Sequence, residues 1–227
     1  MIWTRHDVGE AAAIERAVVG FAEANCYIVG CERTGLGALV DPGTDDADEL
    51  QAIVERVETL GLTIRSIVNT HGHPDHFAGN DALREALGAE VLIHELDALK
   101  LTDPDRNASR LFGREAYVSP PDRLLSEGET IEVGGVSLLV VHTPGHSVGG
   151  IALVGDGFVF TGDTLFAGAV GRTDLPCASE GDAIAWEVLL ESIREKLFAL
   201  PDETVVLPGH GPATTVGRER RENTYVR

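Results

Sequence analysis

The chain has 227 residues, of which 43% are hydrophobic and 24% charged, and this composition predicts one globular domain over residues 1–227 and excludes a disordered chain. Acidic side chains outnumber basic ones by 37 to 18, and the net charge of −19 disfavours binding to nucleic acid or to an anionic membrane. Three cysteines, Cys26, Cys31 and Cys177, are too few for a disulfide framework and are interpreted as reduced thiols of a cytoplasmic protein.

Strand and helix patterns alternate along the first half of the chain. The predicted elements are, in order, strands at 25–30 and 37–40, a helix at 45–60, a strand at 64–69, a helix at 80–87 and a strand at 91–93. Gly61 and Gly88 are predicted to end the two helices. Residues 100–122 are polar, contain proline and show weak periodicity, so we interpret them as an insertion or a lid.

The second half contains further short apolar segments and one long amphipathic segment. Strands are predicted at 136–141, 150–154, 158–161 and 205–207, and a helix at 183–200. No apolar run is long enough to span a bilayer, and the first ten residues lack the pattern of a secretory signal. Two blocks of interleaved strands and helices predict an α/β (α+β) sandwich.

Residues 71–76, with the sequence HGHPDH, form the most informative segment of the chain. Three of the eight histidines lie within these six residues, together with the carboxylate of Asp75. Gly72 and Pro74 argue against a regular helix, so the segment is predicted to be a loop between a strand and a helix. Imidazole and carboxylate groups on a compact loop are suited to binding Zn, Fe or Mn.

Three more candidate ligands follow predicted strands on glycine-containing turns. His146 follows the strand that ends at Val141, Asp163 follows Phe160, and His210 follows Leu207. Each alone is typical of an ordinary turn. Together with residues 71–76 they predict a group of nitrogen and oxygen ligands that converge at one edge of the sandwich.

These residues resemble those of the metallo-β-lactamase-fold hydrolases. The HxHxDH segment, the later His146, Asp163 and His210 match the motif set of that superfamily over essentially the whole chain. The strings TGDT (161–164) and GRTD (171–174) are similar to those of its glyoxalase II (hydroxyacylglutathione hydrolase) and persulfide dioxygenase branch. The chain length and the ending PGHGP (208–212) most resemble the short bacterial glyoxalase II-like proteins.

The resemblance implies an αββα sandwich and a centre with two divalent metal ions, Zn being preferred and Fe or Mn possible alternatives. The implied ligands are His71, His73 and His146 for the first ion, Asp75, His76 and His210 for the second, and Asp163 as a bridge. The implied reaction is hydrolysis of a small-molecule thioester, such as an S-2-hydroxyacylglutathione, by a hydroxide shared between the metals. Asp75 and Asp163 are assigned catalytic roles, with Asp163 orienting the nucleophile.

Two residues are candidates for supporting the ligands. Asp41 follows a predicted strand and could accept the second N–H group of a ligating imidazole, as the resemblance also implies, although ordinary turn chemistry explains it equally well. His142 is more simply a packing residue.

Three alternatives to a thioester hydrolase stay open. The first is a persulfide dioxygenase with one iron held by His71, His146 and Asp163, and the second is another ester or lactone hydrolase of the fold. The third is a metal-binding scaffold without activity. Penicillin hydrolysis is disfavoured because none of the three cysteines lies near a ligand motif.

The sequence leaves recognition of the substrate open. Classical glyoxalase II carries an added C-terminal helical domain, whereas only 17 residues follow His210 here. The arginines at 218, 220, 221 and 227 are interpreted as a solvated tail, with binding of a substrate carboxylate as the alternative. Arg106, Arg110 and Arg114 could instead belong to a substrate lid. The oligomeric state is not predicted.

Overall fold

Strand β3 (Ala24–Cys31) lies at the centre of the fold, and all eight of its residues are buried. In the computed structural model, which describes residues 1–8, 12–175 and 182–227, it belongs to a sheet of seven strands. A strand covered on both faces needs apolar residues at successive positions, which explains the sequence ANCYIVGC. The sheet contains, in order, β1 (Thr4–Val8), β2 (Ala12–Val19), β3, β4 (Leu36–Val40), β5 (Thr63–Asn69), β6 (Glu90–His94) and β7 (Arg123–Leu125).

A second sheet of six strands packs against the first. Its order is β15 (Thr214–Thr215), β14 (Val205–Pro208), β11 (Phe158–Gly162), β10 (Ile151–Val154), β9 (Val136–His142) and β8 (Thr130–Val133). Strands β12 (Leu165–Phe166) and β13 (Ala169–Val170) form a separate small hairpin. The pairs β4–β5, β5–β6 and β6–β7 of the first sheet and β11–β14 of the second are parallel.

Helices cover the outer face of each sheet. They are α1 (Ala47–Thr59), α2 (Pro74–Phe77), α3 (Asn80–Leu87), α4 (Ala98–Thr102), α5 (Asp182–Ser192) and α6 (Val216–Glu222), and a π-helical segment (Ile193–Leu197) continues α5. Asp46 begins α1 by accepting the N–H groups of Asp48 and Glu49. Among the described helices, none combines the length and apolar character that a membrane span requires.

Three apolar clusters hold these layers together. One lies between the sheets and includes Tyr27 and Phe160, whose ring centroids are 5.0 Å apart. A second joins the first sheet to α1 and α3 through Ile53 and Leu83, and a third joins the second sheet to α5 through Leu189. The predicted α/β (α+β) class and αββα sandwich are therefore confirmed.

The structure departs from the predicted elements at several places. Strands β7, β8, β12, β13 and β15 were not predicted, and two further departures concern the core. No strand was predicted before residue 25, yet β1 and β2 form a pair there; β2 contains the charged Glu15, which is buried because Arg56 of α1 donates to it. The segment 100–122 is not only a lid, since Leu101 and Val118 belong to the core beneath it. Cys177 lies outside the described residues.

The apolar cluster between the sheets gives a direct test of the fold. We expect Phe160→Ala to lower the free energy of unfolding by about 3–5 kcal/mol, because it leaves a cavity beside Tyr27. Urea unfolding with a chelator present measures this without a contribution from metal binding. The control is Leu139→Ala, which removes a side chain that is 41% exposed and should change the value by no more than about 0.5 kcal/mol. Equal losses in both variants would contradict the proposed core.

Candidate metal centre

All seven candidate ligands follow strands that end at the same edge of the sandwich. His71 and His73 follow β5, Asp75 and His76 lie in the single turn of α2, and His146 follows β9. Asp163 follows β11 and His210 follows β14. The pairs β4–β5 and β11–β14 are parallel, so their carboxyl ends bring these turns together. The short helix begins at Pro74, because proline is tolerated at the first helical position, so residues 71–76 are not all loop as predicted.

Three imidazoles form what we call the first triad, His71, His73 and His146. Nε2 of His146 lies 2.9 Å from Nδ1 of His73 and 3.2 Å from Nε2 of His71. All three side chains are buried, and their ring nitrogens lie within 4.8 Å of one another. Three nitrogens that face one another at this spacing could hold one ion.

Asp75, His76 and His210 form the second triad. Oδ2 of Asp75 lies 3.3 Å from Nε2 of His210 and 3.7 Å from Nε2 of His76. His76 is fully buried, whereas the side chains of Asp75 and His210 are 17% and 27% exposed. The second triad therefore faces the open side of the site.

Asp163 lies between the two triads. Its Oδ1 is 3.4 Å from Nε2 of His76, and its Oδ2 is 3.5 Å from Nε2 of His146 and 3.6 Å from Nε2 of His210. A carboxylate whose two oxygens lie near imidazoles of both triads could bridge two cations. The structure thus brings together all seven residues that the sequence singled out.

Hydrogen bonds on the outer side of the imidazoles orient their lone pairs inward. His146 donates from Nδ1 to the carbonyl of Arg172 at 2.7 Å, and His76 donates from Nδ1 to Oδ2 of Asp41 at 3.0 Å when neutral. Thr70 donates its hydroxyl to Asp41, so it accepts from Nδ1 of His71. These tautomers are assigned from the network. In His71 and His146 the remaining nitrogen, Nε2, presents a lone pair to the centre, and Nε2 of His76 does so once that ring has lost its second proton.

Two buried atoms at the centre lack the partners that buried polar atoms normally have. Nε2 of His76 and Oδ1 of Asp163 make no hydrogen bond. Buried polar groups are rarely left this way unless they serve a ligand or an ion. Imidazole lone pairs and carboxylate oxygens that point inward are both stabilised by a positive charge. This set of nitrogen and oxygen ligands therefore fits divalent cations.

Burial and charge set the protonation of the two triads differently. Burial lowers the pKa of His71, His73 and His146, which keeps the imidazoles of the first triad neutral. Burial also opposes a charge on His76, but Asp163, Asp41 and Asp75 outweigh it and raise its pKa to about 10.

The carboxylate of the second triad is held in its charged form. Burial would raise the pKa of Asp75, but the charge of His76 and the hydrogen bond from His210 hold it well below its usual range. His210 has a raised pKa despite partial burial, because Asp75 and Asp163 favour its charged form. A cation entering the second triad therefore displaces a proton.

The predicted contact of Asp41 with a candidate ligand is confirmed. Its Oδ2 accepts from His76, and its Oδ1 accepts the backbone N–H of Thr70 at 2.8 Å. The ring of His142 packs away from the candidate ligands, against His94 and Val148. It stacks on His94 with centroids 4.5 Å apart and bonds to the carbonyl of Val148, which fits the packing role expected for it.

The basic residues that sequence analysis singled out, apart from Arg227, form ion pairs with nearby carboxylates. Arg218 pairs with Glu222, and both Arg220 and Arg221 pair with Asp202. Arg218, Arg220 and Arg221 belong to α6, so this part of the predicted solvated tail is an ordered helix. Arg227 lies after the helix and donates to the carbonyl of Arg221. The arginines of the segment 100–122 pair likewise: Arg106 with Asp103, Arg110 with Asp105 and Glu115, and Arg114 with Asp45.

The sequence model of the metallo-beta-lactamase superfamily matches residues 19–210, which include the whole candidate centre. The chain belongs to this superfamily. Membership of the superfamily supports a metal-dependent hydrolase. The fold binds divalent metal ions, and the cluster described above could hold them in this chain.

Relatives with similar sequences extend over nearly the whole chain. An uncharacterized protein of Mycobacterium tuberculosis is 39% identical over 91% of this chain and 94% of its own length. Hydroxyacylglutathione hydrolase GloC of Haemophilus influenzae is 33% identical over 94% of this chain and 97% of its own length. A probable metallo-hydrolase of Bacillus subtilis, YqgX, is 36% identical over 93% of this chain and 96% of its own length.

Solved structures with the same fold carry several different names. The BLEG-1 B3 metallo-beta-lactamase superposes with a TM-score of 0.84 at 33% identity, covering 94% of this chain and 99% of its own. TTHA1623 in a di-iron-bound form has a TM-score of 0.74 at 38% identity and coverages of 92% and 98%. ETHE1 from Myxococcus xanthus has a TM-score of 0.75 at 27% identity and coverages of 93% and 83%.

Sequence reasoning missed the residues that hold the candidate ligands in place. The carbonyl of Arg172, the hydroxyl of Thr70 and the carboxylate of Asp97 all lie behind the imidazoles or their loops. A backbone carbonyl leaves no sequence signal. The only sequence signal for Thr70 is that it directly precedes His71. Asp97 lies too far along the chain from residues 71–76 for spacing to indicate a contact with them.

Removing the carboxylate between the triads tests the proposed metal centre. We expect Asp163→Ala to lower bound metal from about two ions per chain to one or fewer, because the variant removes the side chain that contacts both triads. Elemental analysis of the purified protein measures this. The matched control is Asp156→Ala, which removes an exposed carboxylate at the far end of β11. Unchanged metal content in Asp163→Ala would remove the bridging role.

Proposed function

We propose that this protein is a thioester hydrolase of glyoxalase II type, which cleaves an S-2-hydroxyacylglutathione or a related thioester to a 2-hydroxy acid and a thiol. The observation that carries the proposal is the convergence of two triads and Asp163 at one open edge of the sandwich. The substrate class is supported by the similarity to hydroxyacylglutathione hydrolase GloC over 94% of the chain.

In this proposal His71, His73 and His146 hold one divalent ion, Asp75, His76 and His210 hold the other, and Asp163 contacts both. Zn is the preferred ion, with Fe or Mn as alternatives, and the di-iron form of TTHA1623 supports keeping iron among them. When bound, two such ions supply an acidified water and a Lewis acid for the carbonyl.

The protein side chains prepare the site for this chemistry. Asp41 holds the proton of His76 at Nδ1, so Nε2 stays directed at the centre. Asp163 has its two oxygens 3.4–3.6 Å from the surrounding imidazole nitrogens, which places the carboxylate where it can orient a water molecule. In the proposal the catalytic groups are the carboxylates of Asp163, which orients the water, and of Asp75, which is held in its charged form beside the second ion.

Substrate approaches from the side where the second triad is exposed. His210 is 27% exposed, and the ring of Phe166 lies edge-on to it with centroids 6.1 Å apart. This aromatic ring gives the opening one apolar wall. The reaction needs no protein nucleophile, and the thiol of Cys26 cannot act as one, because burial raises its pKa and removes it from solvent.

A persulfide dioxygenase is the second candidate, supported by the similarity to ETHE1 from Myxococcus xanthus. Its single iron would be held by His71, His146 and Asp163. In the structure Nε2 of His146 lies 3.2 Å from His71 and 3.5 Å from Asp163, so such a site is geometrically available.

The similarity to BLEG-1 bears on the sequence argument against penicillin hydrolysis. That argument rested on the absence of a cysteine near the motifs, yet a protein named as a B3 metallo-beta-lactamase superposes over 94% of this chain. A β-lactam therefore belongs among the substrates to be tested.

Metal analysis combined with a small substrate panel tests the proposal. We expect about two metal ions per chain and release of free glutathione from S-D-lactoylglutathione, with activity lost on chelation and restored by Zn²⁺. Asp163→Ala should fall to the rate of the metal-free protein, while Asp156→Ala keeps the activity.

Other outcomes of the same panel would contradict the proposed reaction or change the proposed substrate. One iron per chain with oxygen uptake on glutathione persulfide would establish the dioxygenase instead. Opening of a β-lactam without thioester cleavage would identify a lactamase. Hydrolysis of another thiol's thioester, with no cleavage of S-D-lactoylglutathione, would keep the chemistry and change the substrate.

A further inference from the structure

A fully buried carboxylate, Asp97, lies behind the first triad and belongs to none of the candidate ligands. It follows β6 and is 0% exposed. The neighbouring Lys100 and Ser147 are 5% and 0% exposed. Burial of a carboxylate and an ammonium group is costly unless both are paired and hydrogen-bonded, so this cluster requires an explanation.

Asp97 connects the two loops that carry the first triad. Its Oδ2 accepts the N–H of Gly72, the residue between His71 and His73, at 2.8 Å. Its Oδ1 accepts the N–H of Gly149, in the loop of His146, at 2.8 Å. The Gly72 loop follows the first sheet and the Gly149 loop follows the second, so one side chain links the sheets at this edge.

Lys100 and Ser147 complete the hydrogen bonding of Asp97. Nζ of Lys100 lies 3.0 Å from Oδ1, and the hydroxyl of Ser147 donates to Oδ2 and accepts from Lys100. Asp97 therefore receives four donors, which is about the number that a carboxylate can accept. Ser147 directly follows His146, so this contact also restrains the third imidazole of the triad.

The backbone around the cluster leaves no room for larger residues. A Cβ atom at Gly72 would lie 2.5 Å from Cβ of Lys100, and one at Gly149 would lie 2.6 Å from the backbone nitrogen of Asp97. Both loops thus approach the cluster by using glycine where any side chain would collide with it. The close approach on both sides indicates a site built for contact rather than an incidental ion pair.

We propose that Asp97, together with Lys100 and Ser147, is a positioning group that holds the loops of His71, His73 and His146 in the arrangement required to bind the first metal ion. The inference rests on the proposed metal-binding role of the first triad and does not depend on the identity of the substrate. Its test can therefore succeed or fail separately from the thioesterase assay.

Asp97→Asn is the variant that tests this role. Asparagine has nearly the same shape as aspartate, but its amide nitrogen is only a donor. It would face N–H, O–H or ammonium groups, from which it cannot accept a hydrogen bond. The effect is measured in two backgrounds, His210→Ala, which leaves the first triad, and His73→Ala, which leaves the second. We expect Asp97→Asn to weaken Zn²⁺ binding about 10- to 100-fold in the His210→Ala background and much less in the His73→Ala background. Competition with a chromophoric chelator measures the Zn²⁺ affinity of each variant.

Two further variants separate positioning from general stability. Glu15→Gln disrupts another ion pair, between the buried Glu15 of the first sheet and the partly exposed Arg56 of α1, away from the triads, and should leave Zn²⁺ affinity unchanged. If Asp97→Asn does not fold, Ser147→Ala removes one donor and should weaken the first triad selectively but by a smaller factor. Thermal unfolding of the metal-free proteins shows whether the losses of stability are comparable.

The proposal is overturned by either of two results. In the first, Asp97→Asn leaves the Zn²⁺ affinity of the His210→Ala background unchanged, which would show that the triad is positioned without this cluster. If Asp97→Asn does not fold, the same conclusion follows from an unchanged affinity in Ser147→Ala. Equal weakening in both backgrounds, or the same loss in Glu15→Gln, would show that the cluster contributes only to stability.

Discussion

The site depends on a positive charge at one edge of the sandwich, where buried imidazole and carboxylate atoms face one another. Nε2 of His76 and Oδ1 of Asp163 are buried without hydrogen bonds, and three imidazoles of the first triad face one another. A protein tolerates this arrangement where a cation replaces the missing partners. The outer hydrogen bonds of Asp41, Thr70 and Arg172 keep the lone pairs directed at that place.

The fold accounts for how residues far apart in the chain reach this edge. The parallel pairs β4–β5 and β11–β14 both deliver their carboxyl ends to it, one from each sheet. Backbone contacts then fix the turns across the sheets, since Asn25 donates to the carbonyl of Gly209 at 2.7 Å and Ile151 to that of Thr70 at 2.9 Å. The apolar cluster between the sheets supplies the rigid support for these contacts.

Much of this architecture was predictable because it rests on local patterns. The HGHPDH segment and the turns at His146, Asp163 and His210 are visible as unusual residue types after apolar strands, and the structure brings them together. The pair β1–β2 was not predictable, because the burial of Glu15 depends on Arg56, 41 residues away. Asp97 and Lys100 were missed for the same reason, since their partners Gly72 and Gly149 are defined only by tertiary structure.

Each triad draws its members from both sheets. His71 and His73 come from the first sheet and His146 from the second, while Asp75 and His76 are completed by His210. A bound ion at either triad is therefore a cross-link between the two halves of the chain. Neither half of the chain alone carries a complete set of candidate ligands, so capture of an ion at either triad requires that the two halves have docked.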